Sequence, residues 1–186
     1  MLQQLSQILT QDDASRRRFL ALMGQTSATV LPGTGIAKIQ QAGNLKFEMT
    51  HKTDLATRAE VLKSQWGARP VWVAGSTHAG EDELLLQAFA KVQSVIPELL
   101  LILVPRHPDR FGQVSKLVTE AGFSQAQRSL QQQVTAQTQV LLGDTLGELL
   151  FLYALADLAF VGGSLVPNGG HNLLEPAALG QPLLSG

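Results

Sequence analysis

From Val71 onward the chain alternates short apolar segments with helical ones, and this alternation restricts the fold more than any other feature. Strands are expected at 71–75, 99–104, 139–142, 158–161 and 182–184, with helices between them at 81–96, 108–121, 146–156 and 172–179. Strands that alternate with helices of this length form right-handed β-α-β units around a parallel sheet. The sequence therefore predicts an α/β fold with a Rossmann-like sheet of five parallel strands.

The first part of the chain does not follow this pattern. Residues 5–10 alternate like a short strand, and Asp12 and Asp13 then provide a helix start. Residues 25–35 have the composition of a loop, and 43–47 read as a turn into an extended segment. We expect residues 1–46 to be the remnant of a preceding domain with its linker, poorly ordered or paired with another copy. Residues 47–186 form the predicted Rossmann-like domain, which is incomplete.

Composition excludes several classes of function. The formal net charge of −1 gives no general reason to expect a nucleic-acid partner, and the absence of cysteine excludes disulfides, thiolate metal sites and cysteine nucleophiles. The one cationic run, Arg16 to Arg18, indicates a solvated helix face rather than a contact to lipid headgroups. The apolar run at 99–104 is far too short to span a bilayer, so any membrane anchor lies outside this chain.

Polar or glycine-containing segments follow four of the expected strands, at 75–78, 105–107, 143–145 and 162–164. In a parallel sheet these four segments meet at the carboxyl edge, where open α/β sheets bind ligands. The segment at 169–172 carries two glycines and leads into a helix, an arrangement that suits a phosphate. The sequence therefore predicts a phosphate-containing ligand at this edge.

Three charged residues are candidates for contacts to that ligand. Arg106 offers paired donors to phosphate oxygens, although a salt bridge to Asp109 or Glu148 is an alternative. Glu175 could accept from two ribose hydroxyls, or could merely favour the dipole of the last helix. Glu148, expected in the first turn of its own helix, could meet a sugar or a base amino group.

Other interpretations exist for several of these residues. Gly162, Gly163 and Ser164 alone could simply form a tight turn, and the dinucleotide, Walker and nucleophile-elbow fingerprints are absent. The histidines after three of the strands lie on separate loops, so capping or ligand hydrogen bonds are favoured over a metal site. Trp66 and Trp72 are expected in the core.

Five segments resemble, in order and spacing, the motifs of Kdo (3-deoxy-D-manno-octulosonic acid) transferases. They are STHAGE at 76–81, LVPRHP at 103–108, GDTLGEL at 143–149, ADLAFVGGSLV at 156–166 and GGHNLLEPA at 169–177. The resemblance is strong over 44–186 and weak before, where 18–19 and 43–47 carry it. Two departures are Leu173, where the family often has proline, and the segment 25–36, which is longer than the family's usual turn.

The resemblance implies the C-terminal half of a glycosyltransferase B fold, truncated at both ends, which holds the donor CMP-Kdo. It also implies that CMP is contacted by Pro105, Arg106, Leu146, Gly147, Glu148, Asn172, Leu173, Leu174 and Glu175. Further contacts are expected at Ser76, Thr77, His107, Gly163, Ser164, Gly170 and His171.

By the same resemblance, the whole enzyme transfers Kdo to a lipid A precursor in lipopolysaccharide synthesis, at the cytoplasmic face of the bacterial inner membrane. The catalytic glutamate belongs to the missing N-terminal domain, so no catalytic residue is expected in this chain. No metal and no cofactor beyond the donor is expected. This portion by itself is expected to be soluble and inactive.

Two other functions remain open from the sequence. One is another two-domain nucleotide-sugar transferase or epimerase of the same fold, which a preference for UDP over CMP would reveal. The other is a non-catalytic binding module, for which the full-length protein would give no product.

Overall fold

The computed structural model describes residues 7–10, 12–22, 38–41, 52–67 and 69–186. The chain divides into two compact units, Met1–Thr50 and His51–Gly186. The predicted domain boundary at 46/47 lies outside the described residues. The loop expected at 25–35 and the turn expected at 43–47 also lie outside the described residues. Most of residues 1–46 lie outside them as well, so the expected poor order or self-association of that segment stays a prediction.

The first unit contains a parallel pair of strands joined through a helix. Strand β1 (Gln7–Thr10) pairs with β2 (Lys38–Gln41), and helix α1 (Asp13–Leu22) lies between them in the chain. The Asp12 carboxylate accepts the backbone N–H of Ser15 at 2.6 Å, which satisfies a free donor of the first turn. Arg16 and Arg17 both pair with Asp13 on the surface of α1. The predicted helix start at the two aspartates is confirmed.

The second unit is built on one parallel sheet. Its strands are β3 (Val71–Thr77), β4 (Leu100–Pro105), β5 (Gln125–Gln127), β6 (Val140–Leu142), β7 (Leu158–Val161) and β8 (Leu183–Leu184). Their order in the sheet is β5-β6-β4-β3-β7-β8, and every neighbouring pair runs in parallel. The helices are α2 (Lys52–Ser64), α3 (Glu81–Gln93), α4 (Phe111–Glu120), α5 (Leu149–Ala154) and α6 (Leu174–Ala178). The predicted α/β class and the parallel sheet are confirmed.

Apolar side chains fill both faces of the sheet. Along β3, Val71 and Val73 belong to one core cluster, whereas Trp72 and Ala74 belong to the other, because successive side chains of a strand point to opposite faces. The first cluster includes Leu152 of α5 and the second includes Phe89 of α3. A strand buried on both faces must be apolar throughout, which accounts for the continuous run of β4. Trp72 lies in the core as predicted.

The structure differs from the prediction at several elements. It contains a sixth strand, β5, that carries glutamine at both ends and buries only Ala126, so no apolar pattern marks it. The helix expected at 108–121 is a 3₁₀ turn, Pro108–Arg110, followed by α4. The helices expected at 146–156 and 172–179 are shorter at both ends, as α5 and α6. Among the described residues, no helix combines the length and hydropathy that a membrane span requires.

Candidate functional site at the carboxyl edge of the sheet

The four segments predicted to converge do lie along one edge. Strands β6, β4, β3 and β7 are neighbours in that order and run in the same direction, so the residues that follow them share the carboxyl edge. Backbone hydrogen bonds join adjacent segments. Gly143 N donates to Leu103 O and Arg106 N donates to Thr77 O, at 2.8 and 2.9 Å. Pro105 and Arg106 thus lie beside the end of the central strand.

The end of β3 is shaped by close backbone contacts. Ser76 has a φ of 57°, and the pairing of β3 with β4 shifts register between Gly75 and Thr77. A Cβ at Gly162 would lie 2.3 Å from the Ser76 carbonyl oxygen, so only glycine fits after β7 at this point. Ser76 and Thr77 are buried, and the Thr77 hydroxyl donates to Asp82 at 2.6 Å. Both residues therefore form the buried floor beneath the loops at the carboxyl edge.

A buried ion pair supports this floor. Asp82 is fully buried and is paired with Arg110, whose second terminal nitrogen donates to the Thr77 carbonyl oxygen at 3.1 Å. The same carbonyl accepts the backbone N–H of Arg106. Arg110 and Asp82 together hold the peptide that orients Arg106. Sequence reasoning did not identify either residue, because Asp82 resembles any acidic residue in a first helical turn.

Glu81 holds the loop that follows β7. Its carboxylate is buried and accepts four backbone N–H groups: His78 at 2.9 Å, Gly163 at 2.7 Å, and Ser164 and Leu165 at 3.0 Å each. Burial raises the pKa of Glu81, but the four hydrogen bonds outweigh that effect and hold the pKa below its ordinary value.

The donors that Gly163 and Ser164 could offer to a phosphate are thus already used by the protein. The Ser164 hydroxyl donates to Val161 O as well. These two residues, predicted as further ligand contacts, have their backbone N–H groups committed to a carboxylate of the chain itself. This role of Glu81 is not recognisable from the sequence, because an acidic residue at the start of a helix indicates only a favourable interaction with the helix dipole.

The glycine turn lies against that loop. Gly170 N donates to Gly163 O at 2.7 Å, and Gly169 and Gly170 have φ values of 81° and 74°. The following helix begins at Leu174, two residues later than predicted, and is five residues long. Asn172 Oδ1 accepts the Leu174 N–H at 3.1 Å, while the buried Nδ2 of Asn172 has no partner among the described residues. A short helix has a weak dipole, so the charge of the site comes from side chains.

The three histidines expected on separate loops come together at the edge. His78 Nε2 lies 2.6 Å from His171 Nε2, and the two ring planes are within 16° of parallel, with centroids 4.9 Å apart. The His107 ring meets the His78 ring edge-on at 5.4 Å. Burial lowers the pKa of His171, and the nearby His78 and Arg106 lower it further. Loops from three strands therefore form one imidazole cluster.

Arg106 is exposed and has no ion pair among the described residues. Both alternative partners proposed for it are therefore unsupported. Glu148 is instead bound by Arg128 through two hydrogen bonds, of 2.9 and 3.1 Å, and accepts the Thr145 hydroxyl at 2.6 Å. The Arg128 side chain holds the pKa of Glu148 below its ordinary value.

Glu148 caps α5 rather than lying in its first turn, because the helix begins at Leu149. Leu146 is 75% exposed and Gly147 has a φ of 78°, so the segment projects from the edge as a turn. Glu175 does lie in the first turn of α6, as predicted. Burial, and secondarily the charge of Glu175, raise the pKa of Tyr153, whose hydroxyl lies under Gly75.

Some of the predicted residues line two separate clefts, whereas others, Arg106 and Asn172 among them, line neither. One, of 390 Å³, is lined by the loop after β7 and the glycine turn, including Gly163, Ser164, Gly170, His171 and Leu173. The other, of 610 Å³, is lined mainly by α2 and the connection between β5 and β6, and contains Thr145 and Glu148. Trp66, expected in the core, lines this larger cleft and is half-buried. Within the described part of the chain, no group of three or more histidine or acidic side chains is arranged to hold a metal ion.

Comparisons with known proteins agree on one family. A 3-deoxy-D-manno-octulosonic acid transferase of Haemophilus influenzae is 40% identical over 187 residues, which cover 100% of this chain and 42% of that protein. The Bordetella pertussis protein of the same name is 38% identical over 81% of this chain and 38% of that protein. The chain thus spans less than half the length of these relatives. No protein-family model matches it.

A solved structure is also similar. The C-terminal CMP-Kdo binding domain of WaaA from Acinetobacter baumannii superimposes with a TM-score of 0.67 at 41% sequence identity. The superposition covers 70% of this chain and 69% of that one.

Proposed function

The chain belongs to the 3-deoxy-D-manno-octulosonic acid (Kdo) transferase family, and we propose that it supplies the part of such an enzyme that binds the donor CMP-Kdo. Its Rossmann-like sheet is the C-terminal half of a glycosyltransferase B fold. The whole enzyme, in this proposal, transfers Kdo to a lipid A precursor during lipopolysaccharide synthesis, at the cytoplasmic face of the inner membrane.

One observation carries the proposal. Arg106 is exposed at the carboxyl edge with no ion pair among the described residues, while its backbone is held by Thr77. A guanidinium without an ion pair is suited to bind a phosphate through two parallel hydrogen bonds. The buried Nδ2 of Asn172, which has no partner in the described part of the chain, would provide a further donor from the glycine turn.

The remaining contacts to CMP would come from the turns on either side. In this scheme Pro105 and Arg106 hold one side of the nucleotide, the 146–148 turn holds another, and 172–175 holds the third. Glu148 keeps acceptor capacity, since its Oε1 receives one hydrogen bond, from Arg128. Glu175, in the first turn of α6, would accept ribose hydroxyls.

The proposed reaction is a displacement at the anomeric carbon of Kdo. An acceptor hydroxyl loses its proton to a general base and forms the new glycosidic bond, while the bond from the anomeric carbon to the phosphate oxygen breaks and CMP leaves with the electron pair. The base would come from a part of the enzyme outside this chain, whose own residues hold the donor. Arg106 would stabilise the charge on the departing phosphate, so the scheme requires no cofactor beyond the donor.

Calorimetric titration of the chain with CMP tests the proposal. We expect CMP to bind and UDP to bind at least tenfold more weakly, whereas an enzyme for UDP-sugars would show the reverse order. Arg106→Ala should weaken CMP binding by about 1.5–3 kcal/mol, the value of a hydrogen bond to a charged group. The control is Lys116→Ala, an exposed cation of α4. Equal CMP affinity of Arg106→Ala and wild type would remove Arg106 from the site.

A product assay separates an enzyme from a binding module. The full-length protein, supplied with CMP-Kdo and a lipid A precursor, should give a product heavier by one or more Kdo residues. The 186-residue chain alone should give none. Absence of product from the full-length protein, with CMP still bound, would favour a binding module.

A further inference from the structure

The contact between His78 and His171 restricts their protons. Their Nε2 atoms are 2.6 Å apart, so one nitrogen carries a hydrogen and donates it while the other accepts with its lone pair. Two protonated Nε2 atoms could not lie this close. The ring pair therefore presents a single shared hydrogen at its meeting point, and one of the two imidazoles is neutral.

The groups around the pair give it a positive environment. Arg106 and His107 face it from the segment after β4, and Glu81 faces it from the start of α3. The charge of Glu81 raises the pKa of His171, but burial and the nearby His78 and Arg106 lower it by more. Arg106 has no ion pair among the residues described. Within the described residues, neither His78 nor His171 forms an ion pair with a carboxylate.

The structure leaves room for a ligand beside the pair. The 390 Å³ cleft is lined by Gly163, Gly170 and His171. A Cβ at Gly163 would lie 3.0 Å from Cδ2 and 3.1 Å from Nε2 of His171. Glycine at 163 therefore keeps this edge of the imidazole clear.

We propose that His78 and His171 form a proton-coupled site for an anionic oxygen of the donor. This rests on the proposed function, since CMP-Kdo carries a phosphate and the Kdo unit an acid group. When the anion enters, the two rings separate, the accepting imidazole takes one proton from solvent, and both Nε2–H groups donate to the anion. The pair then carries one more positive charge than before, which the bound anion neutralises.

The coupling predicts a pH dependence with a definite sign. In the free pair the accepting Nε2 carries no hydrogen, and burial, His78 and Arg106 keep the pKa of His171 below its ordinary value. A bound anion raises that pKa. At pH values between the pKa of the free protein and the pKa of the complex, binding therefore takes up a proton, and the affinity falls as pH rises. Affinity should fall about tenfold per pH unit wherever one proton is coupled to binding.

Calorimetry of CMP binding in two buffers of different ionisation enthalpy measures this proton directly. The work is done from pH 7.5 to 8.5, where a phosphate with a second pKa of about 6 no longer titrates. The wild-type chain should take up about one proton at the lower pH. His171→Gln keeps a side-chain donor but cannot titrate, and should bind CMP with no proton uptake; Lys116→Gln should behave as wild type.

Cytidine and free Kdo identify the anion. Proton uptake with CMP but not with Kdo assigns the pair to the phosphate, and the reverse assigns it to the acid group of the sugar; cytidine should give none. If His171→Gln does not fold, the NMR chemical shifts of the imidazole carbons and nitrogens in the wild-type protein report the protonation of the two histidines with and without CMP. Binding of both anions without proton uptake, or with uptake that persists in His171→Gln, would overturn the site. Failure of CMP and Kdo to bind at all would instead overturn the proposed function.

Discussion

The carboxylate of Glu81 accepts the backbone N–H of Gly163 at 2.7 Å, across 82 positions of the chain. This bond joins the start of α3 to the loop after β7. That loop in turn carries the glycine turn, since Gly170 N donates to Gly163 O. A buried acid with four backbone donors thus determines where His171 lies. The loops of the site depend on a residue that need not touch the ligand.

Glu81→Gln should destabilise the second unit. The amide NH₂ would face backbone N–H groups that now donate to an oxygen, so at least one hydrogen bond to a charged acceptor is lost and a buried donor is left unpaired. We expect a loss of about 2–4 kcal/mol in the free energy of unfolding, measured with urea. Glu83→Gln, at an exposed position two residues along the same helix, is the control and should change it by less than about 0.5 kcal/mol.

The contribution of Glu81 should depend on pH in one direction. Because the folded state lowers the pKa of this carboxyl below its ordinary value, its stabilising effect is complete above the ordinary value of 4.5 and is lost as pH falls through the folded value. The stability difference between wild type and Glu81→Gln should therefore shrink between pH 5 and pH 3. Urea unfolding at several pH values measures it. A constant difference over this range would show that Glu81 acts through its shape alone.

Gly162→Ala should strongly destabilise the junction of β3 and β7. The added Cβ would approach the Ser76 carbonyl oxygen to 2.3 Å, and a backbone atom in a buried strand cannot move aside cheaply. We expect a cost of about 2–3 kcal/mol by thermal or urea unfolding. The matched control is Gly112→Ala in α4, where no atom lies within 4 Å of the new methyl group. That change should stabilise the protein by about 0.5–1 kcal/mol, and similar effects of the two substitutions would refute the backbone contact.

Asp82→Asn should cost more than the loss of an exposed ion pair. Asp82 is fully buried, so its removal leaves the mostly buried Arg110 with an uncompensated charge. We expect a loss of about 3–5 kcal/mol, and the double variant Asp82→Asn with Arg110→Met should recover part of it. For comparison, Glu120→Gln breaks the exposed pair with Lys116 and should cost at most about 0.5 kcal/mol. Additive losses in the double variant would show that the two residues are not coupled.

Some elements could be predicted from sequence because their neighbours on both faces are apolar. The run of β4 is buried at every position, so it is recognisable whatever its partners are. Strand β5 could not be predicted in this way, since an edge strand with one buried residue has no pattern that distinguishes it from a loop. Helix ends were also misplaced: Leu146 is apolar and at helical spacing, yet it is exposed in the turn before α5.

The same distinction between predictable and unpredictable features applies to the candidate site. Chain direction alone places Arg106 and the glycine segments at the carboxyl edge, because every strand of a parallel sheet ends on the same side. Which polar groups remain free there depends on pairings between residues far apart in the chain. Glu148 is engaged by Arg128, and the N–H groups of Gly163 and Ser164 are engaged by Glu81.

The sequence by itself determined the α/β class, the parallel sheet and the edge at which polar loops gather, because hydrophobic periodicity and strand direction are local properties of the chain. Only the tertiary structure decided that His78 and His171 share a hydrogen and that Arg106 forms no ion pair with the residues that the structure describes. The physical reason is that a hydrogen bond or an ion pair forms over about 3–4 Å, and no spacing in the chain specifies which side chains from separate loops come that close.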